Sequence, residues 1–169
     1  MKKPGEGGRC GMRRKDREIM DPAEIARVLA ECRIVHLGFR DGERVYVVPV
    51  NYGYEYGNGK LVLYFHGAQA GLKFELAGTN PLAGFEIDNG GVLGTDEDPC
   101  EYTEYFHSII GSGRVSIVQD TEEKKRILTV LMECQAGKRF EFTDRMVAHV
   151  AIYRLDVEEF ACKEHDRPM

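Results

Sequence analysis

What constrains this chain most is a succession of extended, β-branched and aromatic runs joined by links too short to hold a crossover helix. Ile34-Val35-His36-Leu37-Gly38-Phe39 reads as a strand, Asp41-Gly42 as a tight turn, and Arg44 to Tyr54 as the hairpin partner. Gly57-Asn58-Gly59 turns the chain into Leu61 to Phe65, and Leu82 to Asp88 is a further strand. Glu101 to Val118 is the longest extended candidate, and Met146 to Leu155 alternates as a last strand. Such a chain cannot make a doubly wound parallel sheet, which needs strands and helices in regular alternation. The economical solution is a mainly β (α+β) domain: a closed or partly closed antiparallel barrel with peripheral helices.

Two longer helices frame the strands. Asp21-Pro22-Ala23-Glu24 places Asp at the N-cap, Pro at N1 and Glu at N3. Ile25, Val28, Leu29 and Cys32 then line one face. Asp120-Thr121-Glu122-Glu123 is a second capping box; it opens a helix to about Ala136 with Ile127, Leu128, Leu131 and Met132 inward, ended by Gly137. Pro49 in mid-strand predicts an edge or a bulge. Gly111 and Gly113 mark a bend or the close approach of something flat.

At 169 residues the chain suffices for one domain, read as a disordered tail over 1–11, a single domain over 12–160 and a polar tail over 161–169. The basic run Met12 to Arg17 is a solvated tail or an arm that wraps a partner subunit. A net charge of −5 argues against a nucleic-acid surface. No apolar run approaches the ~20 residues of a membrane span, and no signal-peptide core precedes the domain. Five scattered cysteines without a C-x-x-C pair argue against a disulfide framework or a zinc knuckle and fit reduced thiols, so the cytoplasm is the expected compartment.

The chemistry is expected between Leu61 and Lys73. A strand ends there in the small-residue loop around His66 and restarts as a short helix from Gly71 through Ala77. A helix start presents free N–H groups at a partly positive end, and Lys73 adds a full charge: an anion seat, or an ordinary connection with a surface lysine. Asn51, beside Pro49, supplies donor and acceptor to a ligand, or marks a barrel corner without one. His36, His107 and His149 fall on strands with no assignable carboxylate partner and read as structural or exposed.

Four segments in order resemble the nitroimidazole-resistance (Nim-type) flavoproteins, which belong to the pyridoxamine-phosphate-oxidase-like FMN-binding split barrels. They are Met12 to Ile19; Val47-Val48-Pro49-Val50-Asn51-Tyr52-Gly53-Tyr54; Tyr64-Phe65-His66-Gly67-Ala68 with Gly71 and Lys73; and Cys100 to Thr103 with Tyr105 and Ser108-Ile109-Ile110-Gly111-Ser112-Gly113. The helix start at Glu122 to Lys124 also matches, and the likeness spans residues 12–155. The resemblance implies a split barrel and a homodimer holding FMN between subunits. Amides from Gly67 to Lys73, with Ala68, Gly71 and Leu72 among them, and the Lys73 ammonium would hold the phosphate. Val48, Pro49, Val50, Asn51 and Tyr52, with Phe65 and with Ser108, Ile109, Ile110 and Gly111, would wall the ring. His66 is the catalytic candidate implied by its place, or a histidine that merely packs on the cofactor. Many members of the family carry a second basic residue where this chain has Leu72, so Arg139 or Arg114 is asked to help.

The activity so implied is reduction of a small electrophile, a nitroaromatic or nitroimidazole-like compound or a quinone. With no Gly-x-Gly-x-x-Gly site, a reduced nicotinamide would dock only transiently. The alternatives are a non-catalytic flavin- or haem-binding module, with His66 or His165 as axial ligand, and a dimerisation scaffold with an empty groove.

Overall fold

The computed structural model describes residues 14–166, so the tail expected over 1–11 lies outside the described residues. After a 3-10 turn at Lys15–Arg17, the elements are β1 (Glu18–Ile19), α1 (Pro22–Glu31), β2 (Ile34–Asp41), β3 (Arg44–Asn51), β4 (Gly53–Gly57) and β5 (Lys60–Gly67). There follow α2 (Leu72–Thr79), β6 (Leu82–Asp88), β7 (Val92–Gly94), β8 (Thr103–Val118), α3 (Thr121–Ala136), α4 (Asp144–Val147) and β9 (Ala151–His165). Every pairing is antiparallel, in the order β3-β2-β6-β8-β9-β5-β4, with β1 added on β9 and β7 on β8. The fold is the antiparallel split barrel with peripheral helices that the strand pattern predicts.

β3 and β4 follow one another in sequence yet stand at opposite ends of that order. The sheet must therefore curl on itself, and β3 does approach β5, without joining it in a ladder. Side chains that alternate inward fill the enclosed space: Val35, Leu37 and Phe39 from β2, Leu63 and Phe65 from β5, and Ile87, Ile109, Tyr153 and Leu155 are all fully buried. The expected strand from Arg44 to Tyr54 breaks at Tyr52, which turns inward and donates its hydroxyl to the Leu29 carbonyl at 2.8 Å. Pro49 lies in β3, an end strand of the sheet order, where a missing N–H disrupts no central ladder. A Cβ at Gly53 would come within 2.7 Å of Leu131 Cα, so this glycine lets α3 lie on β4.

The caps hold as patterned. Asp21 accepts from the backbone of Ala23 (2.8 Å) and Glu24 (3.1 Å), Asp120 from Glu123 (2.8 Å), and Gly137 closes α3 at φ 63°. Two expectations change. The glycines of β8 answer to protein rather than to a ligand: a Cβ at Gly111 would meet the Phe85 ring, and one at Gly113 the β9 backbone, beside the register shift at Ser112/Gly113. The last strand starts only at Ala151, because Thr143 caps a helical turn over Asp144–Val147. It then runs to His165 through the stretch expected to be a polar tail, where β8 pairs with it and β1 lies along it, and Cys162 is buried. No helix of the described residues is long and apolar enough to cross a membrane.

Candidate functional site

The end of β5 and the start of α2 converge on one ammonium. Phe65 is fully buried and stacks on Tyr153 of β9, centroids 5.0 Å apart and planes 13° from parallel. Lys73, half-buried in the first turn of α2, lays its Nζ 5.0 Å from the Tyr153 centroid and 5.6 Å from that of Phe65. The same Nζ donates to the His66 carbonyl at 3.2 Å. Gly67 makes this possible, since a Cβ there would sit 2.8 Å from Nζ. The Tyr153 hydroxyl donates to the Ala68 carbonyl at 3.3 Å, and Gln69 Nε2 to that of Ala148 at 2.9 Å, which pins the loop.

Gly71, at φ +94°, is the N-cap of α2 and brings no side chain to its first N–H groups. Among the described residues no carboxylate lies within ion-pairing distance of Lys73. A cation without a counter-ion, beside uncapped helix amides, is disposed to receive an anion. Burial holds the Lys73 pKa below its ordinary value. His66, exposed at the strand end, has its pKa lowered by partial withdrawal from water and, less, by the Lys73 charge; it is neutral at pH 7.

The other expected residues lie elsewhere on the sheet. Pro49, His36, Glu86, Ile110 and Ala161 form one row across β3, β2, β6, β8 and β9. Of the expected ring wall, Pro49 and Ile110 are exposed, whereas Tyr52, Phe65, Ser108 and Ile109 are buried and Val48 and Val50 pack against the core. The Asn51 amide is taken by Gln135 Oε1 and the Arg33 carbonyl, both at 3.3 Å, which ties the β3 end to α3. His66 pairs with Ile152 of β9 and Ile110 with Ala161, nine positions on. That is about 30 Å of strand. Along this strand one chain does not bring Ile110 to His66, whereas β3 reaches β5 by the curl of the sheet.

The remaining histidines and arginines differ from expectation. His36 Nδ1 lies 3.0 Å from Glu86, whose carboxyl pKa is raised by burial and then by Asp88. His107 lies 2.7 Å from Glu31, and His149 sits in a turn rather than a strand. These carboxylates come from distant strands and helices, so no local spacing announces them. His165 is committed at both ring nitrogens, to Arg17 at 3.2 Å and to the Glu104 carbonyl at 2.8 Å. Arg114 pairs with Glu158 (2.9 Å) and Arg139 with Glu133 (3.1 Å), so neither stands free to replace a base at Leu72. Tyr153, the second ring under Lys73, escapes sequence reasoning because only the β5–β9 register brings it there.

The chain matches the family profile described as pyridoxamine 5'-phosphate oxidase over residues 21–164. Among curated proteins none matches. Among solved structures it is similar to a protein of Bacteroides thetaiotaomicron VPI-5482 provisionally described as a 5-nitroimidazole antibiotic resistance protein. The two are 27% identical over 87% of this chain and 86% of that one, at a TM-score of 0.74. It shares its fold with the flavocytochrome Anf3 of Azotobacter vinelandii (17% identical, 93% and 73% covered, TM-score 0.74). It shares it also with an FAD and heme binding protein of Mycobacterium smegmatis (11% identical, 89% and 74% covered, TM-score 0.76).

Proposed function

This chain belongs to the pyridoxamine 5'-phosphate oxidase family, and from that premise we propose that it is a flavoprotein which binds FMN and reduces small electrophiles of the nitroaromatic, nitroimidazole-like or quinone kind. The observation that carries the reading is Lys73: a half-buried ammonium without an acidic partner among the described residues, beside the uncapped first turn of α2. A terminal phosphate matches that need for charge, and the amides of residues 72–74 supply donors along with it. The structural neighbours whose names include flavocytochrome or FAD agree with a flavin.

Bound there, the flavin supplies the electron chemistry. Lys73 anchors the phosphate end, Gly67 keeps the ammonium in place, and the Phe65–Tyr153 stack fixes the floor beneath it. His66, neutral at pH 7, is free to accept a proton from or lend one to a reacting group at the mouth of this site. The ring wall at Ile110 is then the contribution of a second copy, because about 30 Å of strand separates its row on β9 from that of His66, whereas β3, which carries Pro49, approaches β5 within one chain. The reading is therefore of a homodimer with the cofactor between subunits.

The test is the absorbance of the purified protein with mass measurement of the released ligand. FMN supports the reading; a Soret band or no chromophore overturns it. Lys73→Ala is expected to weaken FMN binding roughly thirtyfold, the loss of one charged hydrogen-bond partner worth about 2 kcal/mol. His66→Ala is expected to stay yellow and turn over more slowly. Unchanged FMN affinity in Lys73→Ala would show the phosphate to lie elsewhere.

A further inference from the structure

His107 stands near the start of β8, away from Lys73 on α2, and has surroundings of its own. Its Nε2 lies 2.7 Å from Glu31 Oε2, at the C-terminal end of α1. Asn89 Nδ2 also approaches Nε2, at 2.9 Å, but the shorter contact is to an anion and takes the ring proton. That tautomer leaves a lone pair on Nδ1. Nδ1 is buried and makes no hydrogen bond. An orphaned ring nitrogen is costly inside a protein and calls for a partner the polypeptide does not supply.

What faces it is carboxylate. Glu164 Oε2 lies 3.9 Å from Nδ1, beyond hydrogen-bonding distance. A histidine nitrogen of His107 and one carboxylate oxygen each of Glu164 and Asp166 lie within 4.8 Å of one another. Two ligand atoms on one cation with bonds of ~2.1 Å stand roughly 3 to 4 Å apart; the 3.9 Å between Nδ1 and Glu164 already falls in that range, and the exposed Asp166 side chain is near enough to close on the same centre.

We propose that His107, Glu164 and Asp166 bind a divalent first-row transition cation, with Glu31 holding the histidine in the ligating tautomer. One neutral imidazole and two carboxylates suit Zn2+, Mn2+ or Fe2+. A histidine whose second nitrogen donates to a carboxylate is the usual support of a metal-bound imidazole. The charge balance agrees. Arg27 bonds Glu24 (2.8 Å), Glu31 (3.2 Å) and Glu164 (2.5 Å), and Arg14 and Arg17 line a cavity with Asp16, Glu18, Glu164 and Asp166, which makes six carboxylates against three guanidiniums. Access agrees as well: His107 and Asp166 line a cavity of about 320 Å3 with Asn89 and Tyr105, which leaves room for water as further ligands. The triad His36, Glu86, Asp88 is different, because its histidine already bonds Glu86 through Nδ1 at 3.0 Å.

The test is calorimetric titration of the full chain, freed of metal by a chelator and dialysed, with Zn2+ alone. Expected are one equivalent bound and a higher melting temperature with the ion present. Asp166→Asn, at an exposed residue, and His107→Gln should each weaken binding at least tenfold. Glu31→Gln should weaken it ten- to hundredfold, and His36→Gln should leave it unchanged. No Zn2+ binding by the parent chain, or binding that survives Asp166→Asn at full affinity, overturns the proposal, as does its loss in His36→Gln. If His107→Gln does not fold, Asp166→Asn decides alone.

Discussion

His66 and Lys73 share a carbonyl, and the ammonium adds to the lowering of the His66 pKa that withdrawal from water begins. Removing the ammonium leaves the desolvation of His66 but removes the repulsion, so Lys73→Met is expected to raise the His66 pKa, read by NMR titration of the imidazole. Stability follows the same shift. Above the ordinary value of 6.5 the imidazole is neutral folded or unfolded and contributes nothing. As pH falls below 6.5 the unfolded chain takes up its proton first, so the ligand-free protein loses stability until the lowered folded value is passed. His66→Gln should flatten the melting temperature against pH across that window. These two residues and their loop were legible in the sequence, because a strand end, small residues and a lysine in a first helical turn are adjacent in it. Tyr153, His107's carboxylates and the capture of Asn51 by Gln135 were not, since strand register and helix docking alone create those contacts.

At the scale of elements, caps and glycines decide which helices and strands can touch. Gly53→Ala drives a Cβ into the α3 backbone at Leu131, which cannot swing away, and is expected to cost about 1–3 kcal/mol in chemical denaturation. Gly67→Ala meets only the movable end of Lys73, so the melting temperature should change little while FMN affinity falls as the ammonium is displaced. Comparing the two separates a glycine kept for packing from one kept for the site. Helix starts at Asp21 and Asp120 and the hairpin at Asp41-Gly42 were readable because their signals are local. The extent of β9 was not: Lys163, Glu164 and His165 look like a tail in isolation and become strand only between β8 and β1.

For the whole molecule the expectation is a pair of chains. Val45, Val47, Leu82 and Ile110 are exposed on β3, β6 and β8, apolar side chains set among Arg40, Glu86 and Arg114 in the same rows, a mixed face of the kind a second copy covers. Ile110→Arg, on the row that would meet the partner, should yield a folded monomer by native mass spectrometry that no longer retains flavin. A dimer of undiminished affinity would move the seam elsewhere. The break at Tyr52 reaches further than local geometry suggests. The two rims of the sheet are successive in the chain and share this one tethered residue, so neither can swing without dragging its opposite. A guest that wedges β3 outward must also tug β4, and through Gly53 lean on the long helix behind it. Occupancy at one rim would thus register as slower amide exchange on the other, with no messenger but the stiffness of a single turn.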